Sequence, residues 1–389
     1  MRALIVTALA AVSLTACGER EPNTAASPDA PDATPGAPAT TGDQPAAAGP
    51  AVQSEVREFR DWRAVCDNGN RCVAWTGGDG GWVRVMMEPG PLAAPSVSGG
   101  SWALGQQDET PRDLALQIDG QTHTLRPSPA NAANAAAGEA RSRAILTALA
   151  AAKSVAITGN GQSEALPSAG ASAALLWIDE RQGRLNTTTA LLRRGDRPAS
   201  AVPAPPALPR VIAAPPINQG ALANGGLSLE DEKRPRLTVP AAIEALPDVR
   251  KCRAEEDNAA VRDIVLAVKL GPEKELWGVT CGAGAYNVTY RLYVTGPNGT
   301  NPRSAELPTR QPITEGDIGM GAGWLVNPVY DTRRQTLTVF PRGRGLGDCG
   351  TITSWTWTGQ AFALNEERFM GDCWGMSDDL WPTTWRTRG

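Results

Sequence analysis

Cysteine placement constrains this chain more than any other feature of its sequence. Of its seven cysteines, the first, Cys17, closes an apolar run from Ala3 to Ala16. That run is shorter than the ~20 residues a membrane span needs and has the size of a secretory signal core, so it predicts export. In an oxidising compartment cysteines are read as bridges. Setting Cys17 aside leaves an even set of Cys66, Cys72, Cys252, Cys281, Cys349 and Cys373. Cys66 and Cys72 flank an Asn68-Gly69 step, a strong hairpin signal, so the two are expected to face each other across adjacent strands. Spacing alone leaves the other connectivities open. Pairing nearest neighbours in sequence gives Cys252 with Cys281 and Cys349 with Cys373, each bridge contributing about 2–4 kcal/mol.

The segment Leu14-Thr15-Ala16-Cys17-Gly18 resembles the bacterial lipobox, in which a cysteine is diacylated and becomes the new N-terminus. The resemblance implies a lipid anchor on Cys17, and several acyl chains hold a membrane far better than one. The other reading is ordinary secretory cleavage with Cys17 a stray thiol, and both export the chain. Gly18, where an inner-membrane retention signal would place Asp, implies the outer membrane with the protein facing the periplasm. After the signal peptide at 1–16, residues 17–53 are mostly Ala, Pro, Thr, Asp and Gly. Such a composition buries too little apolar surface to offset chain entropy and reads as a disordered tether.

The remaining length predicts two domains. Prolines from Pro198 to Pro216 mark a break, placing a domain at 54–196, a linker at 197–239 and a second domain at 240–389. Strand signals dominate: 82–87, 114–118, 154–158, 286–294, 336–340 and 351–357 alternate and are rich in β-branched and aromatic residues. Asp119-Gly120 and Thr358-Gly359-Gln360 predict hairpin turns. Apolar spacing predicts helices over 139–153 and 171–182, with Gly183 stopping the second. The expected fold class is mainly β: an α+β first domain with two packing helices and a nearly all-β second domain, both disulfide-stapled and sheet- or sandwich-like.

The segment Phe59–Cys66 (FRDWRAVC), followed by Cys72-Val-Ala, resembles the start of the invasion-associated locus B family of exported bacterial proteins. Longer pieces carry a closer likeness: Gly170–Gly183 (GASAALLWIDERQG), Cys281–Asn287 (CGAGAYN), Arg342–Gly350 (RGRGLGDCG) and Trp381–Arg386 (WPTTWR). In these the chain resembles the proteobacterial envelope family numbered 1176 among domains of unknown function, from about Glu55 to Arg386. The resemblance implies an envelope location and maps no activity onto particular residues.

Catalytic signals are thin. The one histidine, His123, lies on a predicted strand without a nucleophile elbow, and it leaves no cluster with zinc spacing, so no catalytic residue, metal or cofactor is expected. Gly345 to Gly350 satisfies Gly-x-Gly-x-x-Gly, but a strand follows where a phosphate-binding helix would have to begin. Two readings remain for this stretch: a tight turn closing onto Cys349, or a display of Arg342 and Arg344 as forked donors to a ligand anion. The chain has 12 tryptophans against four phenylalanines and four tyrosines, and Trp355 and Trp357 share one face of a strand. They are either core or a stacking platform for a sugar or partner. The adjacent pairs Glu366-Glu367 and Asp378-Asp379 do not form a glycosidase dyad, since neighbours on a strand point to opposite faces. The sequons at Asn186 and Asn287 carry no expected meaning.

A formal charge of −4 without a basic stripe excludes a nucleic-acid partner. The function expected is that of a non-catalytic envelope lipoprotein binding a protein partner or an envelope glycan. The alternatives are an enzyme acting on envelope polymers, marked by two carboxylates beside an exposed Trp, and a hydrolase inhibitor inserting the Cys66–Cys72 hairpin into its target.

Overall fold

Alternation in the first half produces a twisted meander. In a computed structural model, which describes residues 53–102, 104, 113–128, 131–217, 221–223, 237–256, 258–310 and 325–389, strands Glu55–Phe59, Trp62–Cys66, Cys72–Gly78, Gly81–Met87 and Pro95–Gly100 pair in sequence order. Asn131–Ala136 and Arg126–Ser128 complete this seven-stranded antiparallel sheet. Cys17, the expected signal peptide and nearly all of the segment expected as a tether lie outside the described residues.

One face of the sheet, carrying Trp62, Ala64, Ala74, Val83, Val85 and Val97, packs against a four-stranded sheet and two helices. The smaller sheet is ordered Gln162–Leu166, Val155–Gly159, Ala115–Ile118 and Gln121–Thr124, its Asp119-Gly120 turn falling at the expected hairpin. The helices, Glu139–Ala151 and Ala171–Arg181, bury Ile145, Leu146, Leu149, Ala174, Leu175 and Ile178. These are the residues whose helical spacing predicts an apolar stripe.

The second half is a sandwich. Strands Val265–Gly271, Lys274–Ala283 and Val288–Thr295 form the centre of one sheet, and Val329–Asp331, Thr336–Val339, Gly350–Trp357, Phe362–Met370 and Thr383–Arg386 the other. Leu266, Val268, Leu276, Tyr290 and Leu292 meet Leu337, Val339, Trp355, Trp357 and Phe362 between them. Three short helices, Ala241–Glu244, Pro247–Glu255 and Ala259–Arg262, accompany the first sheet, whose outer face packs Val265, Ala267, Trp277, Val279 and Tyr293 against Ile243 and Val249. Sequence periodicity does not announce these helices, because the longest of them, PDVRKCRAE, buries only Val249 and Cys252.

The two halves share a core within one compact unit spanning 46–389. Val65, Val73, Trp75 and Trp82, on the outer face of the meander, pack with Cys349, Ile352, Met370, Met376 and Trp381. The proline-rich segment expected as a linker is, over 197–217, a strap. Pro203 lies against Gly183 and Pro205 against Gly90, while Arg388 N–H donates to Pro209 O at 2.9 Å and Val211 N–H to Arg388 O at 3.0 Å.

Candidate functional site

Disulfides join Cys66 to Cys72, Cys252 to Cys281 and Cys349 to Cys373, the same partners that nearest-neighbour pairing gives. The first closes the Asn68-Gly69 hairpin, and that hairpin does not project. Asp67 is fully buried, accepting N–H groups from Gly69 at 2.8 Å and Arg71 at 2.9 Å and the Arg386 Nε–H at 2.5 Å. Asn68 forms a two-point pair with the Arg386 backbone, donating to its O at 2.8 Å and accepting from its N–H at 2.9 Å. Burial raises the Asp67 carboxyl above the usual range, and Arg386 opposes that shift. A loop expected to insert into a target is therefore engaged inside the molecule.

Trp355 and Trp357 are 1% and 2% exposed in the sandwich core, so they offer no stacking platform. Their shared face is as the period of two predicts, but that face is covered by the opposite sheet. Trp355 Nε1 donates to Pro308 O at 2.7 Å, and the Trp357 ring lies 5.1 Å from Phe362. Arg344 is likewise engaged. Its fork grips Asp348 at 2.7 and 2.5 Å, a hydrogen bond that holds the guanidinium charged even more firmly than usual. Asp348 also accepts Gly375 N–H at 2.6 Å, so the pair closes a turn. Gly350, at φ 137°, sits where a Cβ would meet Pro341 O at 2.1 Å, which explains the glycine there as close backbone approach.

Of the expected contact residues Arg342 alone keeps its guanidinium outside an ion pair among the described residues. It rests 5.3 Å from the Phe340 ring, while Asn287 holds its backbone by donating to its O at 3.0 Å and accepting its N–H at 3.1 Å. His123 lies on a strand at the edge of the smaller sheet, its imidazole held below its ordinary pKa by burial and by Arg141. Among the described residues no group of three metal-ligating side chains occurs.

The motif at Gly170–Gly183 forms a structural hub. Asp179, fully buried, accepts the N–H groups of Leu191, Leu192 and Arg193 at 2.6, 3.0 and 3.3 Å. Just beyond it Arg184, also fully buried, donates to Gln182 Oε1, Thr189 Oγ1 and the carbonyls of Glu88 and Gly90. Burial lowers its pKa to about 10, which leaves it cationic at neutral pH.

One recess is a cleft of about 460 Å³, to which the meander's first strand, the proline strap and the last strand contribute. Ser54, Val56, Arg310, Glu367, Thr384 and Trp385 line it. Trp385, in the closing WPTTWR motif, is partly buried against the sandwich core and carries the Arg310 guanidinium 4.5 Å from its ring centroid. Glu367, 1% exposed, accepts Arg310 N–H at 2.9 Å and so fixes the backbone beneath that guanidinium. Arg310 is exposed and makes no ion pair among the described residues. This arrangement presents a positioned cation, an apolar wall and a single buried carboxylate. A second recess of about 720 Å³, lined by Lys274, Arg303, Glu306, Gln360 and Trp357 among others, is more open and more polar. Arg310 and Val56 carry no local sequence signal, since the cleft assembles from segments more than 300 residues apart; Trp385 was legible only as part of a motif.

The fold and its bridges define a mainly β, disulfide-bonded protein built on a meander and a sandwich with a common core. Residues 56–388 match the family described as protein of unknown function (DUF1176), and the chain belongs to that family. It is similar to the Escherichia coli (strain K12) protein named "Uncharacterized protein YpfG", with 29% identity over 359 residues, covering 85% of this chain and 93% of the relative. No solved structure matches the chain.

Proposed function

We propose that this protein is an envelope lipoprotein, anchored through Cys17 to the outer membrane and facing the periplasm, whose folded part binds a protein partner or an envelope glycan without catalysing a reaction. The lipobox-like segment, the composition of 17–53 and the three disulfides support the address.

One observation carries the binding role: the cleft at Trp385, where an exposed Arg310 guanidinium, stacked on the ring, makes no ion pair among the described residues. A guanidinium held on an aromatic face has lost much of its freedom before a ligand arrives, so less entropy is lost on binding. Among the described residues that line the cleft the one carboxylate, Glu367, is engaged with a backbone N–H, whereas glycoside hydrolysis uses two carboxylates flanking the bond.

The test is capture from detergent-solubilised envelopes with the full chain, beside an Arg310→Ala/Val56→Glu variant. The expected result is a defined partner or glycan retained by the parent and lost by the variant. Equal capture by both, or none by either, contradicts the reading. Fractionation of cells expressing Cys17→Ser tests the anchor, which predicts release of the protein from membranes.

A further inference from the structure

The strand Glu55–Phe59 is the edge of the seven-stranded sheet, and the orientation of its backbone follows from its neighbours. It pairs with Trp62–Cys66 in the register Phe59↔Trp62, Arg57↔Ala64 and Glu55↔Cys66, across a two-residue turn. Residues flanking such a turn form a hydrogen-bonded pair, and hydrogen-bonded and non-bonded pairs then alternate. Val56, paired with Val65, therefore stands at a non-bonded position. The far side of the sheet agrees: Cys66 and Cys72 are opposite each other with Cα atoms 4.0 Å apart, the close spacing of a non-bonded pair. Cys66 consequently spends its backbone groups on Glu55, which again turns those of Val56 and Glu58 to the open edge.

Val56 also lines the cleft, and 53% of it is exposed. A strand edge that no other described strand pairs, an exposed β-branched side chain and a guanidinium without an ion pair among the described residues thus border one recess. The Trp385 ring already carries the Arg310 guanidinium 4.5 Å from its centroid, so a sugar ring stacking there would have to displace that guanidinium. That arrangement favours an extended peptide over a glycan. Strand addition supplies main-chain hydrogen bonds regardless of sequence, and a terminal carboxylate matches the geometry of the Arg310 fork.

We propose that the cleft captures the carboxy-terminal segment of a polypeptide, which adds as a strand beside Ser54 to Glu58 and places its terminal carboxylate on Arg310. This rests on the binding role proposed above and names its ligand class. Arg310 recognises the end of the chain, the edge at Val56 recognises the backbone, and the Val56 side chain gives an apolar contact for one residue of the ligand.

The test is fluorescence anisotropy with the full chain in detergent and an amino-terminally fluorescein-labelled pool of random hexapeptides bearing free carboxylates. The same pool with amidated termini, and fluorescein-labelled trigalacturonate as an acidic glycan, are the comparison probes. The free-carboxylate pool is expected to bind, with amidation weakening binding at least about tenfold, as loss of a hydrogen-bonded charge implies. Arg310→Gln is expected to lower affinity by a similar factor and to abolish the effect of amidation. Val56→Pro removes one outward N–H and leaves the inward ladder intact, and is expected to weaken binding about fivefold. The amidation comparison needs no variant, so a misfolded variant cannot obscure it.

Equal binding of the amidated pool, an Arg310→Gln protein that binds as well as the parent, binding of trigalacturonate alone, or no binding by either pool each overturns the peptide-terminus proposal. None of these touches the broader binding role, which stands or falls on capture from envelopes.

Discussion

Replacing Arg386 by Ala removes the cation that faces a fully buried carboxylate. The Arg386 side chain is 19% exposed and its Nε lies 2.5 Å from Asp67 Oδ2. Truncation leaves Asp67 with the N–H groups of Gly69 and Arg71 but no opposite charge, and breaking a buried pair in this way costs about 3–5 kcal/mol. The two surviving donors place the expected loss near the lower end, about 3 kcal/mol. The Asn68 pairing uses only the Arg386 backbone and survives the change.

Acidification gives this prediction a signature. Burial raises the folded-state pKa of Asp67 above its unfolded value and Arg386 holds the rise in check, so its removal raises that pKa further. A folded state that binds its proton more tightly than the unfolded state gains stability as pH falls into the window between the two values. The cost of Arg386→Ala is therefore largest at neutral pH and shrinks as pH falls through the raised folded-state pKa toward the ordinary aspartate value of 3.8. Urea unfolding followed by circular dichroism at neutral and acidic pH measures both quantities. A loss below about 1 kcal/mol at neutral pH, the level of an exposed pair, or a loss that grows on acidification, refutes the reasoning.

Other substitutions test the packing. Trp355→Ala is expected to destabilise the fold by about 3–5 kcal/mol in chemical denaturation, since it opens a cavity and strands Pro308 O. Removing the Cys252–Cys281 bridge by double Ser substitution is expected to cost about 3.6 kcal/mol, against about 2.2 for Cys66–Cys72, because the chain-entropy effect grows with loop length. Comparison of unfolding midpoints checks the order. Gly170→Ala, at φ 109° with its Cβ aimed 1.7 Å from Phe59 O, is expected to lower the melting temperature more than any alanine placed on an exposed strand.

Local signals in the sequence carry most of the secondary structure. Asp119-Gly120 fixes its hairpin because both residues take positive φ, 46° and 81°, whereas the loop after Cys66 turns at Asn70, φ 61°, and not at Gly69; the apolar stripes of 139–151 and 171–181 mark real helices. Exposure is a different matter. Period-two alternation puts Trp355 and Trp357 on one face, yet whether that face meets solvent depends on strands Val265–Gly271 and Lys274–Ala283, far away in sequence. Composition likewise marks 197–217 as too proline-rich for helix, but its docking depends on Gly90, Gly183 and Arg388, which no local window connects. The charged forks follow the same logic: Arg344 has Asp348 four residues away, whereas Arg310 gains its position from Trp385 and Glu367.

The family motifs acquire physical meaning once they meet in space. CGAGAYN and RGRGLGDCG join where Asn287 clamps the Arg342 backbone, and WPTTWR joins the first hairpin through Arg386 and Asp67. These contacts explain the motifs as supports of one framework. The cleft at Trp385 is what that framework leaves open, because Arg310 there is held by Trp385 and Glu367 without a charge partner of its own among the described residues.

The most direct measurement of the binding role is site-specific photocrosslinking in living cells. A benzophenone side chain is placed at Val56, which borders the cleft and is 53% exposed, or at Val329, which is 51% exposed and outside its lining. A binding cleft gives a discrete adduct at position 56 that disappears with Arg310→Gln, and none at position 329. Absence of an adduct at 56, or equal adducts at both positions, contradicts it.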